Sequence, residues 1–347
     1  MRTYHLQENI LKKMKIYHNS NISNSLKIAS NAKYYIEVHH RDDLIELNQF
    51  ILQKKLPVLV VGEGTNLVLP NLFEGVAVKP IFNNINYDDA QNIVSVGSSV
   101  NWNDFVNEMV DKNIYGYENL SSIPGSVGAA PIQNIGAYGQ DVSKLIMSVD
   151  CYDYKTGKFM TMSKDNCNFS YRNSIFKNNT LIIYNINFVT NYKNNFNFEY
   201  ESIKKYLTNN EININNLKLK DVSEIITNIR NSVLPNPSLV PNVGSFFKNT
   251  ILKKDDINIS EFSLDELIIW DIDSIYVKVG SARLIELIRD KLQEYDNVSI
   301  YENHSLVLVT NSLATQEEVL SFAENIKEKI NEVFNITLEI EPTIILN

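Results

Sequence analysis

The sequence predicts an α+β chain, and three observations carry that reading. Pro57-Val58-Leu59-Val60-Val61 is a continuous apolar run ending at a glycine turn, the mark of a buried strand. Trp102, Phe105, Val106, Met109 and Val110 recur at i, i+3, i+4, i+7 and i+8, one face of a helix, with Asn101 as its N-cap. Ile336-Thr337-Leu338-Glu339-Ile340-Glu341 alternates as a strand does, so Glu339 and Glu341 point the same way, opposite Leu338 and Ile340. A chain of 347 residues has room for two or three domains.

The first half alternates short apolar strands with amphipathic helices. Beyond the helix at 102, strands return at Ile146-Met147-Ser148-Val149-Asp150 and at Leu181-Ile182-Ile183-Tyr184. Residues 191–220 turn polar and Asn-rich, which marks the clearest domain boundary in the chain. A helix follows from Asp221, then a proline turn at Leu234-Pro235-Asn236-Pro237. Thr315-Gln316-Glu317-Glu318 has the pattern of a capping box and opens a helix whose apolar stripe is Val319, Phe322, Ala323, Ile326 and Ile330. No internal repeat is visible.

Composition narrows the function. Net charge of -9 argues against non-specific nucleic-acid binding, which needs a basic face. Cys151 and Cys167 are the only cysteines, too few for a disulfide framework or a zinc pattern, so both read as buried thiols in a reducing cytosol. The five histidines show no metal-ligand spacing, and no metal is expected. Arg2, Lys12, Lys13 and Lys15 make the N-terminus basic, but Glu8 interrupts and no apolar core follows, so no signal peptide is expected. No apolar run approaches the ~20 residues of a membrane span.

The chemistry concentrates in Leu120-Ser121-Ser122-Ile123-Pro124-Gly125-Ser126-Val127-Gly128-Ala129-Ala130-Pro131-Ile132-Gln133-Asn134-Ile135-Gly136-Ala137-Tyr138-Gly139. Four of the chain's 12 glycines lie there, among Ser and Ala. Such a run gives up side-chain packing and gains close backbone approach to a ligand, with N–H groups free to hold a phosphate. Val61-Gly62-Glu63-Gly64-Thr65-Asn66-Leu67 is a second small-residue turn after the apolar strand. It is not GxGxxG and no helix follows, so it is no Rossmann fingerprint. Together the two segments suggest a dinucleotide cradle built from backbone donors. Phe169-Ser170-Tyr171-Arg172-Asn173-Ser174-Ile175-Phe176-Lys177 carries an Arg among aromatics, whose planar fork suits a carboxylate or phosphate; a surface Arg beside core aromatics is the plainer reading. Asn242-Val243-Gly244-Ser245-Phe246-Phe247-Lys248-Asn249 sets a Ser between Gly and two Phe, either a turn residue or a hydroxyl offered in a water-poor pocket. With no GxSxG elbow and no histidine at triad spacing, a hydrolase nucleophile is disfavoured. A serine is a useful acid only toward a very basic carbanion or enolate.

These motifs, in this order, resemble the UDP-N-acetylenolpyruvoylglucosamine reductase family, most closely over Ile123–Gly139, Tyr171–Lys177 and Gly244–Asn249 and again at the last strand. The resemblance implies a vanillyl-alcohol-oxidase/PCMH-type FAD-binding fold of two subdomains over 20–190, divided near 80, then a Tyr-bearing loop over 191–220 and a C-terminal α+β substrate-binding domain over 221–347. It implies NADPH reducing FAD, and FAD reducing the enolpyruvyl ether of a UDP-sugar, with Arg172 stabilising the intermediate, Ser245 donating the proton and Glu341 completing the site. An ionised Glu341 would repel an enolate, so it is expected to act protonated or through a bound water. The flavin contacts implied are Gly62, Gly64, Thr65, Asn66, Ser122, Ile123, Pro124, Gly125, Gly128, Ala129, Gln133, Asn134, Gly136, Ala137, Tyr138 and Gly139. The substrate contacts implied are Tyr200, in the type I loop Phe198-Glu199-Tyr200, Lys248 and Asn249.

The chain departs from the family pattern in three places. Val233 replaces the basic residue before the Leu-Pro-x-Pro turn, so a diphosphate contact is either lost or supplied elsewhere, for instance by Lys248 or Lys278. The usual Glu-Pro-Glu reads Glu339-Ile340-Glu341-Pro342, and aligning on the proline would put Thr343 at the catalytic position. Asn297-Val298-Ser299-Ile300-Tyr301-Glu302 stands where a glycine-rich segment is usual. Rival readings are another flavin oxidoreductase on this fold, or a binding protein without turnover. Nothing in the sequence demands more than a monomer, and no nucleic-acid or membrane partner is expected.

Overall fold

A computed structural model describes residues 14–346; Arg2, His5, Glu8, Lys12 and Lys13 lie outside the described residues. The first body contains β1 (Lys15–Asn21), β2 (Asn31–Val38), α1 (Arg41–Lys54), β3 (Val58–Val60), β4 (Leu67–Val68) and β5 (Leu72–Pro80). Its sheet runs β1-β2-β5-β3, with β2, β5 and β3 parallel and β1 antiparallel at the edge. Strand β3 is the apolar run expected at 57–61. It is apolar throughout because both faces are covered: Val58 and Val60 meet the α1 layer through Leu44, Leu47 and Ile51, while Leu59 and Val61 join Phe73 and Ala77 on the other side.

The second body contains β6 (Ile85–Asp88), β7 (Ile93–Gly97), α2 (Trp102–Asp111), β8 (Gly136–Ala137), β9 (Gln140–Asp141), β10 (Ile146–Asp153), β11 (Lys158–Ser163) and β12 (Leu181–Val189). Its five-stranded antiparallel sheet runs β11-β10-β12-β7-β6. Helix α2 forms where the 3.6-residue period placed it, and the Asn101 side chain accepts from Asp104 N at 3.1 Å. Its stripe of Trp102, Phe105, Val106, Met109 and Val110 is buried, with Phe105 packed 5.0 Å ring to ring on Phe188 of β12. Burying side chains of this size stabilises by roughly 1.5–3 kcal/mol each.

Two helices follow, α3 (Glu201–Asn209) and α4 (Leu219–Val233). Helix α3 arises inside the Asn-rich stretch because Ile203 and Leu207, one turn apart, bury against Ile225, Ile226 and Ile229 of α4. Helix α4 is longer than the Asp221–Ile226 segment expected, and it seats on the second body: Ser223 Oγ lies 2.8 Å from Ser121 Oγ, and Thr227 Oγ1 3.0 Å from Ser122 Oγ.

The third body contains β13 (Asn242–Ser245), β14 (Thr250–Lys253), β15 (Ile269–Asp271), β16 (Tyr276–Val279), α5 (Ser281–Leu287), β17 (Val298–Ile300), β18 (Val307–Thr310), α6 (Gln316–Phe334) and β19 (Thr343–Ile344). Its sheets run β13-β18-β17 and β14-β16-β15. The stripe predicted from Val319 to Ile330 is the buried face of α6. Its capping box is only half formed: Thr315 Oγ1 accepts from Glu318 N at 3.2 Å, but the Glu318 carboxylate turns away to accept from Asn297 N and Nδ2, both at 3.0 Å. Leu26, Ile28 and Val68 of the first body complete this core, and β19 pairs in parallel with β4, so the first and third bodies are packed together.

The segment 336–341 is not a regular strand. It holds one isolated bridge, Phe247 to Ile340, before β19. The expected alternation survives without the ladder, with Ile336 and Leu338 buried and Ile340 against the core, while Glu339 and Glu341 face outward from it.

Candidate active site

The two small-residue segments meet. Asn66 Nδ2 donates to Gln133 Oε1 at 2.7 Å, and Thr65 Oγ1 donates to Pro124 O at 3.4 Å. The first turn needs Gly64, whose φ is +66° and whose added Cβ would stand 2.4 Å from Ser23 O. The second loop is fixed at its start by Trp102 Nε1 donating to Leu120 O at 2.9 Å, and is laced to the second body by Gly128 N to Ser98 O at 2.8 Å and Val127 N to Val100 O at 2.8 Å.

Between these loops and the third body runs a cleft of two joined chambers, of ≈ 260 and ≈ 390 Å³, together in the size range of cofactor sites. They share a waist formed by Gly62, Glu63, Ser126, Ala129, Lys177 and Thr343. The first chamber is lined by Arg172, Arg230, Ser245 and Glu341, and the second by Ser98, Tyr154, Phe176 and Ile183.

Each reactive side chain is held by its own device. Arg172 occupies the third position of a four-residue turn closed by Ser170 N to Asn173 O at 3.0 Å and Asn173 N to Ser170 O at 3.2 Å. Its φ is +52°, a conformation side chains seldom adopt, and Asn134 Nδ2 donating to Ser170 O at 3.1 Å anchors the turn. The guanidinium, 19% exposed, donates to Gly136 O at 2.7 Å and sits 3.2 Å from Glu341 Oε1 and 3.9 Å from Asp141 Oδ1.

Glu341 is anchored by its N–H to Phe246 O at 2.9 Å and is 15% exposed. Burial pushes its carboxyl above the ordinary range, against the pull of Arg172, Lys248 and Lys177. Ser245 ends β13 just after Gly244, whose φ is +74° and whose missing Cβ would have met nothing within 4 Å, so the hydroxyl follows an open bulge beside the buried Phe246 and Phe247. Asn242 holds that bulge, its Oδ1 accepting from Gly244 N at 2.8 Å and its Nδ2 donating to Pro235 O at 3.1 Å.

Of the residues expected on flavin, Gly62, Gly64, Thr65, Asn66, Ile123, Pro124, Gly125, Ala129, Gln133 and Gly136 line the first chamber, and Gly128 the second. Others hold the loop from behind. Ser122 N donates to Asn103 Oδ1 at 2.6 Å; Asn134 braces the Arg172 turn; Tyr138 O accepts from Asn119 Nδ2 at 2.9 Å and Gly139 O from Lys144 Nζ at 3.2 Å; Ala137 belongs to the short β8–β9 pair.

The substrate candidates divide as well. Tyr200, 48% exposed, sets its ring edge-on to Tyr138 at 5.5 Å and lines neither chamber. Lys248 and Asn249 do not line the cleft: the Lys248 ammonium pairs with Glu339, and Asn249 Oδ1 accepts from Ser281 N at 3.1 Å at the start of α5. Lys278 stands 4.9 Å from the Tyr171 ring, which is itself 5.3 Å from the Arg172 guanidinium, and 5.7 Å from the Trp270 ring. Burial and the Arg172 charge hold its ammonium below the ordinary range. Thr343 lines the waist but has no acid to offer, so Glu341 is the carboxylate that reaches Arg172.

Sequence reasoning missed Arg230. It projects into the first chamber from α4, and burial pulls its guanidinium below the ordinary range, with Arg172 adding like-charge repulsion. The signal was present as Ser223, Thr227 and Arg230 at i, i+4 and i+7, the face that α4 turns to the glycine loop.

The residues fit FAD. The waist and second chamber offer small residues where a Cβ would collide: one added at Gly128 would come 2.5 Å from Ser98 Cβ, and one at Gly62 2.8 Å from Ser126 Oγ. Ser98 Oγ, buried on the wall of the second chamber, has no hydrogen-bond partner in the described structure and awaits one from an occupant. Among the described residues no group of His, Cys, Asp and Glu could hold a metal, and no helix is long and apolar enough to cross a membrane. Cys151 and Cys167 are free and buried, their thiols pushed up by burial to about 12 and about 11.

Comparison with known proteins agrees. Residues 32–163 match the FAD binding domain family, and residues 235–345 match the family of the UDP-N-acetylenolpyruvoylglucosamine reductase C-terminal domain. The UDP-N-acetylenolpyruvoylglucosamine reductase of Bdellovibrio bacteriovorus is 34% identical over 333 residues, 94% of this chain and 97% of that protein. Its counterpart in Flavobacterium johnsoniae is 34% identical over 336 residues, 93% and 96% of the two chains. The fold matches that of the UDP-N-acetylenolpyruvylglucosamine reductase of Thermus caldophilus with a TM-score of 0.67, covering 95% of this chain and 99% of that one at 17% identity.

Proposed function

The chain belongs to the UDP-N-acetylenolpyruvoylglucosamine reductase family, and from that premise we propose that Arg172, Ser245 and Glu341 carry its catalysis, with Arg230 and Lys278 binding anionic parts of the substrate. The enzyme is an FAD-containing oxidoreductase. It reduces the enolpyruvyl ether of UDP-N-acetylglucosamine to UDP-N-acetylmuramate with electrons from NADPH, a step in making peptidoglycan precursor.

Bound FAD supplies the two-electron hydride chemistry. What the chain's own residues must do follows from charge. Hydride addition conjugate to a carboxylate builds a dianionic, enolate-like species. Arg172 answers that charge with a fork preset by Gly136 O and Glu341, so little reorganisation is needed when the charge develops. Ser245 gives its proton to the carbanionic carbon, a transfer favoured by that carbon's basicity. Glu341 is best suited to act protonated, since burial raises its carboxyl and an ionised one would repel the intermediate. The observation that carries this reading is the meeting of Arg172, Ser245 and Glu341, from three distant stretches of chain, in one chamber walled by the glycine loops.

Arg230 and Lys278 take over from the basic residue that Val233 replaces. Arg230 lies one helical turn earlier on α4, lining the chamber, and Lys278 lies against Tyr171, close enough to Arg172 to feel its charge. Tyr200 closes over the substrate from the Tyr138 side. One chain contributes every catalytic group, so a monomer suffices, and two buried free thiols suit a reducing cytoplasm.

The test is anaerobic flavin absorbance. NADPH should bleach the protein, and the enolpyruvyl UDP-sugar should restore the colour quickly. Bleaching without recovery would leave a flavin enzyme with another substrate.

A further inference from the structure

The cleft contains four cations, and two of them are already answered. Arg172 is held by Gly136 O and Glu341, while Lys79 donates to Gly62 O at 2.7 Å and to Glu63 Oε1 at 2.9 Å. Arg230 and Lys177 form no ion pair and no side-chain hydrogen bond among the described residues. Arg230 sits in the first chamber with Arg172. Lys177 alone among these four lines both chambers, at the waist between them.

Lys177 is carried there by a rigid mount. Its N–H donates to Ser174 O at 3.3 Å, Ser174 Oγ donates to Ile132 O at 2.6 Å, and its neighbour Phe176 is buried in the second body. The nearby acids are taken: Glu339 by Lys248 and Glu341 by Arg172. Both carboxylates pull on the half-buried Lys177 ammonium without reaching ion-pair distance, and such a charge is costly unless a ligand completes its pairing. FAD is longer than either chamber, and its only anionic group, the diphosphate, lies at its middle. With the flavin ring beside Arg172, Ser245 and Glu341 and the adenosine among Tyr154, Phe176 and Ile183, that middle crosses the waist.

We propose that Lys177 binds the diphosphate of FAD, as the one side-chain cation in a cradle otherwise made of backbone donors. The proposal rests on the reading that FAD lies along this cleft. A UDP-sugar also carries a diphosphate, but Arg172 and Arg230, which line only the first chamber, are the cations placed for it.

The experiment titrates apoprotein with FAD and, separately, with riboflavin, following quenching of flavin fluorescence. Lys177→Gln should weaken FAD binding about 10-fold or more, the loss of one charge-assisted bond. It should leave riboflavin binding unchanged and flatten the salt dependence of FAD binding. Equal losses for FAD and riboflavin would make Lys177 merely structural, and no loss for either would make it a solvated lysine; both overturn the assignment. Unchanged FAD affinity with weaker binding of UDP to the FAD-loaded protein would move the contact to the sugar nucleotide, which also overturns it. Ala129→Phe, which fills the waist, separates the two readings. If it spares FAD binding, the placement of FAD in this cleft is wrong; if it abolishes binding while Lys177→Gln does not, only the lysine assignment fails.

Discussion

Arg172→Lys keeps the positive charge and removes the fork. Arg172 donates to Gly136 O at 2.7 Å while its Nε holds Glu341 at 3.2 Å, and one ammonium cannot occupy both positions. The backbone conformation at φ +52° suits Lys no worse than Arg, so folding should be little affected. The variant loses one charge-assisted hydrogen bond in a dry site, worth about 1.5–3 kcal/mol. At about 1.4 kcal/mol per factor of ten, that predicts a roughly 10- to 150-fold slower reduction of the sugar. The assay is rapid mixing under anaerobic conditions, with the two half-reactions followed separately. Bleaching by NADPH should proceed at the normal rate, and only the return of colour on adding the UDP-sugar should slow. Recovery at the normal rate, or an equal slowing of both steps, would refute the argument that Arg172 acts on the sugar-derived anion.

Other outcomes follow from the same geometry. Ser245→Ala should leave bleaching by NADPH intact and slow product formation by about 10²–10⁴, the usual worth of a positioned proton donor; a loss of less than tenfold would exclude it from that role. Because burial raises the Glu341 carboxyl, it stays protonated to higher pH than an ordinary Glu, and sugar reduction should fall as pH rises through that raised value. Glu341→Gln should flatten this limb of the pH profile, whereas an unchanged limb with full rate would remove any acid role. Gly64→Ala forces a Cβ to 2.4 Å from Ser23 O at φ +66°, so a loss of at least about 1–3 kcal/mol is expected, read as a lowered thermal midpoint; an unchanged midpoint would contradict the steric argument.

Periodicity located helix α2 and the inward face of α6, and an unbroken apolar run located the buried strand β3, because each of those signals is local: the pattern of hydrophobic positions states which faces must leave water. The glycine loops were equally legible, since small residues in a run have no packing purpose of their own. Arg172 and Ser245 stood out in short motifs that each sit on one turn or strand end, whereas Glu341 was singled out only by the family resemblance.

What tertiary structure alone decided is which partners those residues meet. Helix α3 was hidden because its two buried residues make sense only against α4. Glu318 left its expected cap because Asn297 offered two donors from another strand. Lys248 and Asn249 lie in the same motif as Ser245, yet they follow β13 in the link to β14, where they meet Glu339 and Ser281 of the third body. Arg230 belongs to no motif, and Lys177 ends the Arg172 motif without a role of its own there; both became functional candidates only when folding left each in the cleft outside any ion pair. Charge pairing depends on distance through space, and local sequence does not encode which carboxylate will arrive beside which cation.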